Sequence, residues 1–278
     1  MGKNKKILVT GAAGFIGFHL CERLMKEGFD VVGLDNINDY YDVNLKYGRL
    51  VELGIHKNKA EQFLNKTSSS TYGQKLSFIR MNLEDYENLP KLFENENFDI
   101  VCNLAAQAGV RYSIENPKAY IDSNIQGYLN VLECCRHYSV KRLVYASSSS
   151  VYGHKKTKPI KENSMREPIN PYGQTKLDDE YLFEKYSKMG TKVIGLRYFN
   201  IFGEGQTLEY AGVITKFLDR IKQKKSPIIF GDGSQIRDFI FVGDIVMANL
   251  LAMTSKISNL LVNIGTGKAI TIVELANM

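Results

Sequence analysis

Cysteine and histidine are scarce, with four of each among 278 residues. Cys21, Cys102, Cys134 and Cys135 show no metal-ligand spacing, and the adjacent pair falls in a helical stretch where side chains diverge. They read as reduced core thiols of a cytoplasmic protein, and no bound metal is expected. His19, His56, His137 and His154 stand apart from one another, so packing or solvent is their reading and none is assigned a catalytic role. No apolar run approaches the roughly 18 residues of a membrane span, and the N-terminus passes straight into a strand-like run, leaving no room for a signal peptide. Internal repeats are absent. Charge of one sign is not massed either: the formal net charge is +6. Lysines 155, 156 and 158, and 222, 224 and 225, carry no interleaved aromatics, so they read as solvated faces and not as a nucleic-acid surface.

What the chain does have is an ordinary globular composition, 44% hydrophobic and 24% charged, at a length that suits one large α/β domain with a smaller lobe. Lys6–Thr10 is a short apolar, β-branched run of the kind a buried parallel strand requires, and Phe15–Lys26 has helical periodicity. Between them lies Gly11-Ala-Ala-Gly14-Phe-Ile-Gly17. In that position the first glycine permits a tight turn, the second lets backbone approach a pyrophosphate, and the third allows close helix-strand packing, while the helix N-terminus attracts phosphate charge. A second strand-like run, 31–34, ends at Asp35, about 20 residues past the glycines, where a dinucleotide fold places an acid on the adenosine ribose. An acid there repels a 2′-phosphate, so the expected cofactor is NAD and not NADP.

Strand-like runs recur at 76–80, 99–103, 142–146 and 192–197, separated by helical stretches, which predicts a doubly wound parallel sheet, a Rossmann fold. The polar interval 53–75 reads as a surface excursion of helix and loop. Residues 1–197 are expected to form the cofactor domain. Residues 198–278 are expected to form a smaller substrate lobe that looks incomplete, with some segments returning to the first domain. The lobe should hold a helix at 213–223, a strand at 228–230 and a helix at 242–253.

Tyr172 and Lys176 are four apart at the start of a helical stretch and so share one face. Alone, such a pair is common on surfaces. Ser148, directly after the strand-like run 142–146, adds a hydroxyl at a carboxyl strand end, where ligands of open α/β sheets converge. An unperturbed tyrosine has a pKa near ~10, which a lysine ammonium and a cationic nicotinamide nearby would lower. Tyr172 is thus the candidate to move a hydroxyl proton while hydride leaves carbon, with Ser148 bonded to the same oxygen.

These residues and the stretches around them resemble the extended short-chain dehydrogenase/reductases, and most of all the nucleotide-sugar 4-epimerases. The similar stretches are VTGAAGFIG at 9–17, LDN at 34–36, NLAAQAGVRYS at 103–113, YASSSSVYG at 145–153, NPYGQTK at 170–176, LRYFNIFG at 196–203 and GDGSQIRDFIFVGDI at 231–245. The resemblance implies an isomerase that holds NAD with Gly11, Gly14, Phe15, Ile16, Gly17, Asp35, Asn36, Asn82, Leu83, Ala105, Ala106, Gln107, Asn124, Tyr172 and Lys176. It implies a UDP-sugar contacted by Arg111, Ser149, Asn200 and Arg237. Family members that dehydrate sugars usually carry an Asp-Glu pair where this chain has Ser149 and Ser150, and related decarboxylases a glutamate there, so epimerisation through a transient 4-keto sugar is implied.

For the sugar, two readings stand. Residues 35–50, with AAQAGVRYS, are similar to UDP-glucuronate 4-epimerases; LRYFN, and Gly203-Glu-Gly-Gln-Thr207 in place of an arginine-bearing loop, are similar to epimerases of neutral UDP-glucose or its N-acetyl form. Glucuronate is narrowly favoured, with Arg111 as the partner for its carboxylate. In similar proteins the helices around 117–137 and 172–188 pair in a dimer, and a homodimer is expected here. Relatives also continue for several dozen residues past position 278, so a catalytically incomplete NAD-binding regulatory or scaffold protein is kept as an alternative.

Overall fold

The computed structural model describes residues 5–155, 159–208 and 212–278; Lys156 and Lys158, read above as solvated, lie outside them. Eight strands form the main sheet. Its members are β1 (Lys6–Thr10), β2 (Asp30–Asp35), β3 (Thr67–Ser69), β4 (Gly73–Arg80), β5 (Ile100–Asn103), β6 (Arg142–Ser148), β7 (Val193–Tyr198) and, after a short β8 (Asn200–Phe202) and β9 (Ile236–Phe241), β10 (Leu260–Ile264). The order is β10-β7-β6-β5-β1-β2-β4-β3, and every pairing is parallel except β3 with β4. This is the doubly wound Rossmann sheet, with its order reversing between β1 and β5.

The strands are apolar on both faces because helices cover both. Ile7 and Val9 of β1 face one core and Leu8 the other. On the first side lie α1 (Phe15–Lys26), the inner residues of α2 (Val43–Glu52) and, from the end of the chain, α10 (Val242–Thr254). Between α2 and α10 come α3 (Lys57–Ala60), α4 (Asn88–Glu96), α5 (Val110–Glu115), α6 (Pro117–Tyr120), α7 (Gly127–His137), α8 (Pro171–Lys188) and α9 (Val213–Lys222). Of these, α4, α7 and α8 cover the second face with Leu89, Phe93, Val131, Leu132 and Phe183.

Three expectations change. Residues 53–75 are not only helix and loop: β3 pairs antiparallel with β4 and closes the sheet edge, its Thr67 and Ser69 buried. The run 117–137 is not one helix. A π-helical segment, Ile121–Gln126, lies between α6 and α7 and interrupts the i→i−4 hydrogen-bond ladder, although the backbone stays helical across both junctions. Residues 228–230 form no strand; Ile228 and Phe230 are exposed, with no neighbour in either sheet to take their backbone groups. The second sheet is instead β11-β9-β8, with β11 (Ala269–Thr271) antiparallel to β9 and followed by α11 (Ile272–Ala276).

Candidate active site

The glycine turn is held by close packing. A side chain on Gly17 would meet the Gly11 carbonyl oxygen at 2.1 Å, and one on Gly11, at φ +71°, would meet the Ala105 nitrogen at 2.9 Å. Thr10 fixes the facing loop: its hydroxyl donates to Asn103 Oδ1 at 2.6 Å and accepts from the Leu104 and Ala105 amides at 3.1 Å each. Gly14 caps α1 with no side chain, so the positive helix end faces a cleft lined by Gly11, Gly14, Phe15, Ile16 and Gly17.

That cleft encloses about 1090 Å³ of space, open to solvent on one side. Of the residues expected at a dinucleotide, Asp35, Asn36, Leu83, Ala105 and Ala106 also line it. The Asp35 carboxylate is buried and oriented by two amides, accepting from Ala13 at 3.2 Å and from Ile37 at 2.8 Å. Asn82 is exposed and is not among the lining residues. Gln107 and Asn124 lie behind the wall: Asn124 Oδ1 accepts the Gln107 amide at 2.8 Å, and its Nδ2 donates to Gln107 O and to Thr175 Oγ1. Asn124 therefore ties the loop after β5 to α8, and it sits in the π-helical segment.

Several lining residues carried no expectation. Lys46 and Arg49, charged residues on a helix, are buried at the cleft. Lys46 donates to Asn38 O and Oδ1 at 2.9 and 2.7 Å and stands 4.0 Å from Asp35; burial lowers its pKa, opposed by the Asp35 charge. Arg49 bonds Ala13 O at 2.9 Å and Gly205 O at 2.8 Å, joining the glycine turn to the 203–207 loop. Gln206 and Thr207 of that loop line the same cleft. Their signal in sequence was weak, since a lysine and an arginine three apart on an amphipathic helix read as a solvated face.

At the carboxyl end of β6, Ser148 is followed by a tight turn, Ser149–Tyr152, and its Oγ accepts the Ser150 amide at 3.1 Å. Helix α8 starts against that turn. Asn170 caps it by accepting the Gly173 amide at 2.8 Å, Pro171 fills the first helical position, and a Cβ on Gly173 would meet Ser150 O at 2.7 Å. Only glycine permits this approach, which brings Tyr172 and Lys176 to the strand end that carries Ser148. Tyr172 is half-buried and edge-on to Tyr120, ring centroids 6.1 Å apart. Lys176 is buried, with its ammonium 3.1 Å from Asp179 Oδ2.

The residues expected at the sugar are more dispersed. Ser149 is half-buried beside Ser148, and Arg111 is exposed on α5 with no ion-pair partner among the described residues. Asn200, on β8, donates to Asp238 O at 3.0 Å; Arg237, on β9, is exposed and donates to Ile236 O. None of the four lines the cofactor cleft.

A cleft floored by a glycine turn at the point where the strand order reverses defines a Rossmann enzyme that works with a dinucleotide, while Ser148, Tyr172 and Lys176, gathered at the end of β6, are not among the residues that line it. The chain belongs to the NAD dependent epimerase/dehydratase family, which matches residues 7–265. It is an NAD-dependent nucleotide-sugar epimerase, and so an isomerase. It is 43% identical over 245 residues to Protein CapI of Staphylococcus aureus, covering 87% of this chain and 67% of that one. Among solved structures, the UDP-glucuronic acid 4-epimerase of Bacillus cereus in complex with UDP-glucuronic acid and NAD superposes with a TM-score of 0.83 at 33% identity, covering 97% of this chain and 80% of that one. The UDP-glucose 4-epimerase of Thermotoga maritima with UDP-glucose superposes with a TM-score of 0.82 at 33% identity, covering 98% and 80%. No helix among the described residues is long and apolar enough to cross a membrane.

Proposed function

We propose that the enzyme inverts C4 of a UDP-sugar, with UDP-glucuronate as its preferred substrate. The packing of the α8 start against the turn after Ser148 carries the catalytic part of this reading. NAD, which the glycine turn and Asp35 would hold in the cleft, would supply the acceptor and donor of the C4 hydride. Tyr172 takes the proton of the 4-hydroxyl, and Ser148 hydrogen-bonds the same oxygen as it becomes the carbonyl of a 4-keto sugar. Lys176 favours the phenolate electrostatically. After the ketone turns over in the site, hydride returns to the opposite face of C4 and Tyr172 gives its proton back to the carbonyl oxygen. Ser149 and Ser150 are neither acids nor bases at neutral pH, so no water is eliminated.

Glucuronate is supported by Arg111, an exposed cation on α5 with no ion-pair partner among the described residues, whereas the likeness to the Bacillus cereus and Thermotoga maritima enzymes is equal and favours neither sugar. The 35–50 segment, by contrast, contributes Asn38, Tyr41, Lys46 and Arg49 to the cofactor cleft, so its similarity to glucuronate epimerases speaks to the cofactor side. A neutral UDP-hexose is the second reading, favoured by the lack of an arginine in the 203–207 loop and by Asn200. Incubation with UDP-glucuronate, UDP-glucose and UDP-N-acetylglucosamine separately, followed by chromatography of the 4-epimers, decides. Turnover of neutral sugars alone would reject glucuronate, and turnover of none would reject the epimerase reading.

A further inference from the structure

Behind the catalytic helix lies a set of buried polar groups that the reaction does not use. Three residues along α8 from Lys176, Asp179 shares its face, and the pair is sealed from water: the side chains are 5% and 1% exposed, with Nζ 3.1 Å from Oδ2. The other carboxylate oxygen, Oδ1, has no hydrogen-bond partner among the described residues. The hydroxyls of Tyr128 on α7 and Tyr145 on β6, both buried with ring centroids 4.9 Å apart, have at most each other as partners among the described residues. Burial pushes both phenols well above the usual range, and the Asp179 charge pushes them further.

A buried ion pair with this much hydrogen-bonding capacity left over is a poor source of stability, because removing two charges from water costs several kcal/mol that imperfect geometry does not return. Its evident effect is on charge. The neighbouring Glu180 does not compete for Lys176, since it accepts from Arg197 Nε and Nη2 at 2.7 and 2.8 Å, from Arg166 at 3.0 Å and from the Ser147 hydroxyl at 2.7 Å. The charged and titratable groups around Asp179 are therefore Lys176, Asp178 and Glu180 on its own helix, Tyr128 on α7 and Tyr145 on β6.

We propose that Asp179 is a positioning residue that holds the Lys176 ammonium in a buried ion pair and thereby sets the pH at which Tyr172 gives up its proton. This rests on the reading of Tyr172 as the acid/base group. While Asp179 is ionised, it offsets the lysine charge and adds a negative potential of its own, and both effects disfavour the phenolate. When it is neutral, the ammonium acts on Tyr172 undiminished. Burial pushes the Asp179 carboxyl up to about 7, against the lowering pull of Lys176, so the change of state falls near neutrality.

The test is a phenolate-absorbance titration of the NAD-loaded protein, taking wild type minus Tyr172→Phe as the Tyr172 signal, and Asp179→Asn minus the double variant as its counterpart. The midpoint should fall by roughly one pH unit in Asp179→Asn, and Asp179→Glu, which keeps the carboxylate, should stay near wild type. Coincident midpoints for wild type and Asp179→Asn, or a rise, would overturn the proposal. Should Asp179→Asn fail to retain NAD, carboxyl-13C titration of Asp179 decides: its midpoint should rise in Lys176→Met, and an unchanged midpoint overturns the pairing. Neither measurement uses turnover. A positive result with no turnover on any UDP-sugar would therefore reject the epimerase reading and keep the ion pair's role.

Discussion

Tyr172 is half-buried at the second position of α8, and its ring is wedged edge-on against Tyr120, so removing its hydroxyl leaves the packing in place. Tyr172→Phe should lower kcat by a factor on the order of 10²–10⁴ while the purified protein retains its NAD; wild-type turnover would show that another group moves the proton. Asp35 makes a separate prediction. Its carboxylate is fixed at the cleft by the Ala13 and Ile37 amides, and Lys46 at 4.0 Å is already committed to Asn38. Calorimetry should therefore give at least roughly tenfold tighter binding of NAD than of NADP, and equal affinities would refute the assignment. A third concerns stability. Asp179 has its pKa raised by burial from an unfolded value of 3.8 to about 7, so its contribution is fully present below 3.8 and lost as pH rises through 7. Asp179→Asn lacks that dependence. Between pH 5 and pH 8, the stability difference should move in the variant's favour by about 1–3 kcal/mol in denaturant unfolding.

At the level of elements, the site depends on two close approaches that only glycine allows, α1 onto its own turn at Gly17 and α8 onto the 149–152 turn at Gly173. Gly17→Ala would place a methyl carbon 2.1 Å from the Gly11 carbonyl, a backbone atom that cannot step aside. Loss of NAD binding and a destabilisation of about 2–4 kcal/mol are expected, measured by calorimetry and thermal unfolding; a stable variant with wild-type affinity would contradict the packing argument. The main strands were legible from sequence because each is sandwiched between helices and so is continuously apolar. Strand β3 was not, since Thr67-Ser-Ser69 is polar and owes its conformation to pairing with β4. The apolar run 228–230 erred the other way: its composition suits a strand, but the fold supplies no partner for it.

For the whole molecule, the apolar residues of α7 and α8 and the π-helical segment range from core to surface, with Ile125, Leu129 and Leu182 half-buried. Leu132, Leu177 and Tyr186 are turned inward, whereas Ile121 and Tyr181 are 53% and 49% exposed. The outward set is what a second copy would cover, and a homodimer is expected by light scattering at micromolar concentration. A monomer there would remove this proposal without touching the assignment of Ser148, Tyr172 and Lys176. The return of the chain after β9 is also a property of the whole: α10 packs beside α1, and β10 adds to the main sheet next to β7, so residues past 240 help to build the cofactor half.

From the sequence alone came the doubly wound sheet, the glycine turn, the acid at the end of β2 and the helical spacing of Tyr172 and Lys176 on α8, because each depends on local periodicity or short spacing. Burial of charge was a different matter. Lys46, Arg49 and Asp179 carried no expectation from sequence, because whether such a helix position meets water or another element depends on contacts between segments far apart in the chain. Only the tertiary structure placed Lys46 and Arg49 in the cofactor wall and closed α7 and β6 over the Lys176–Asp179 pair. There, removal from water turns an ordinary three-residue helix spacing into a control on proton transfer.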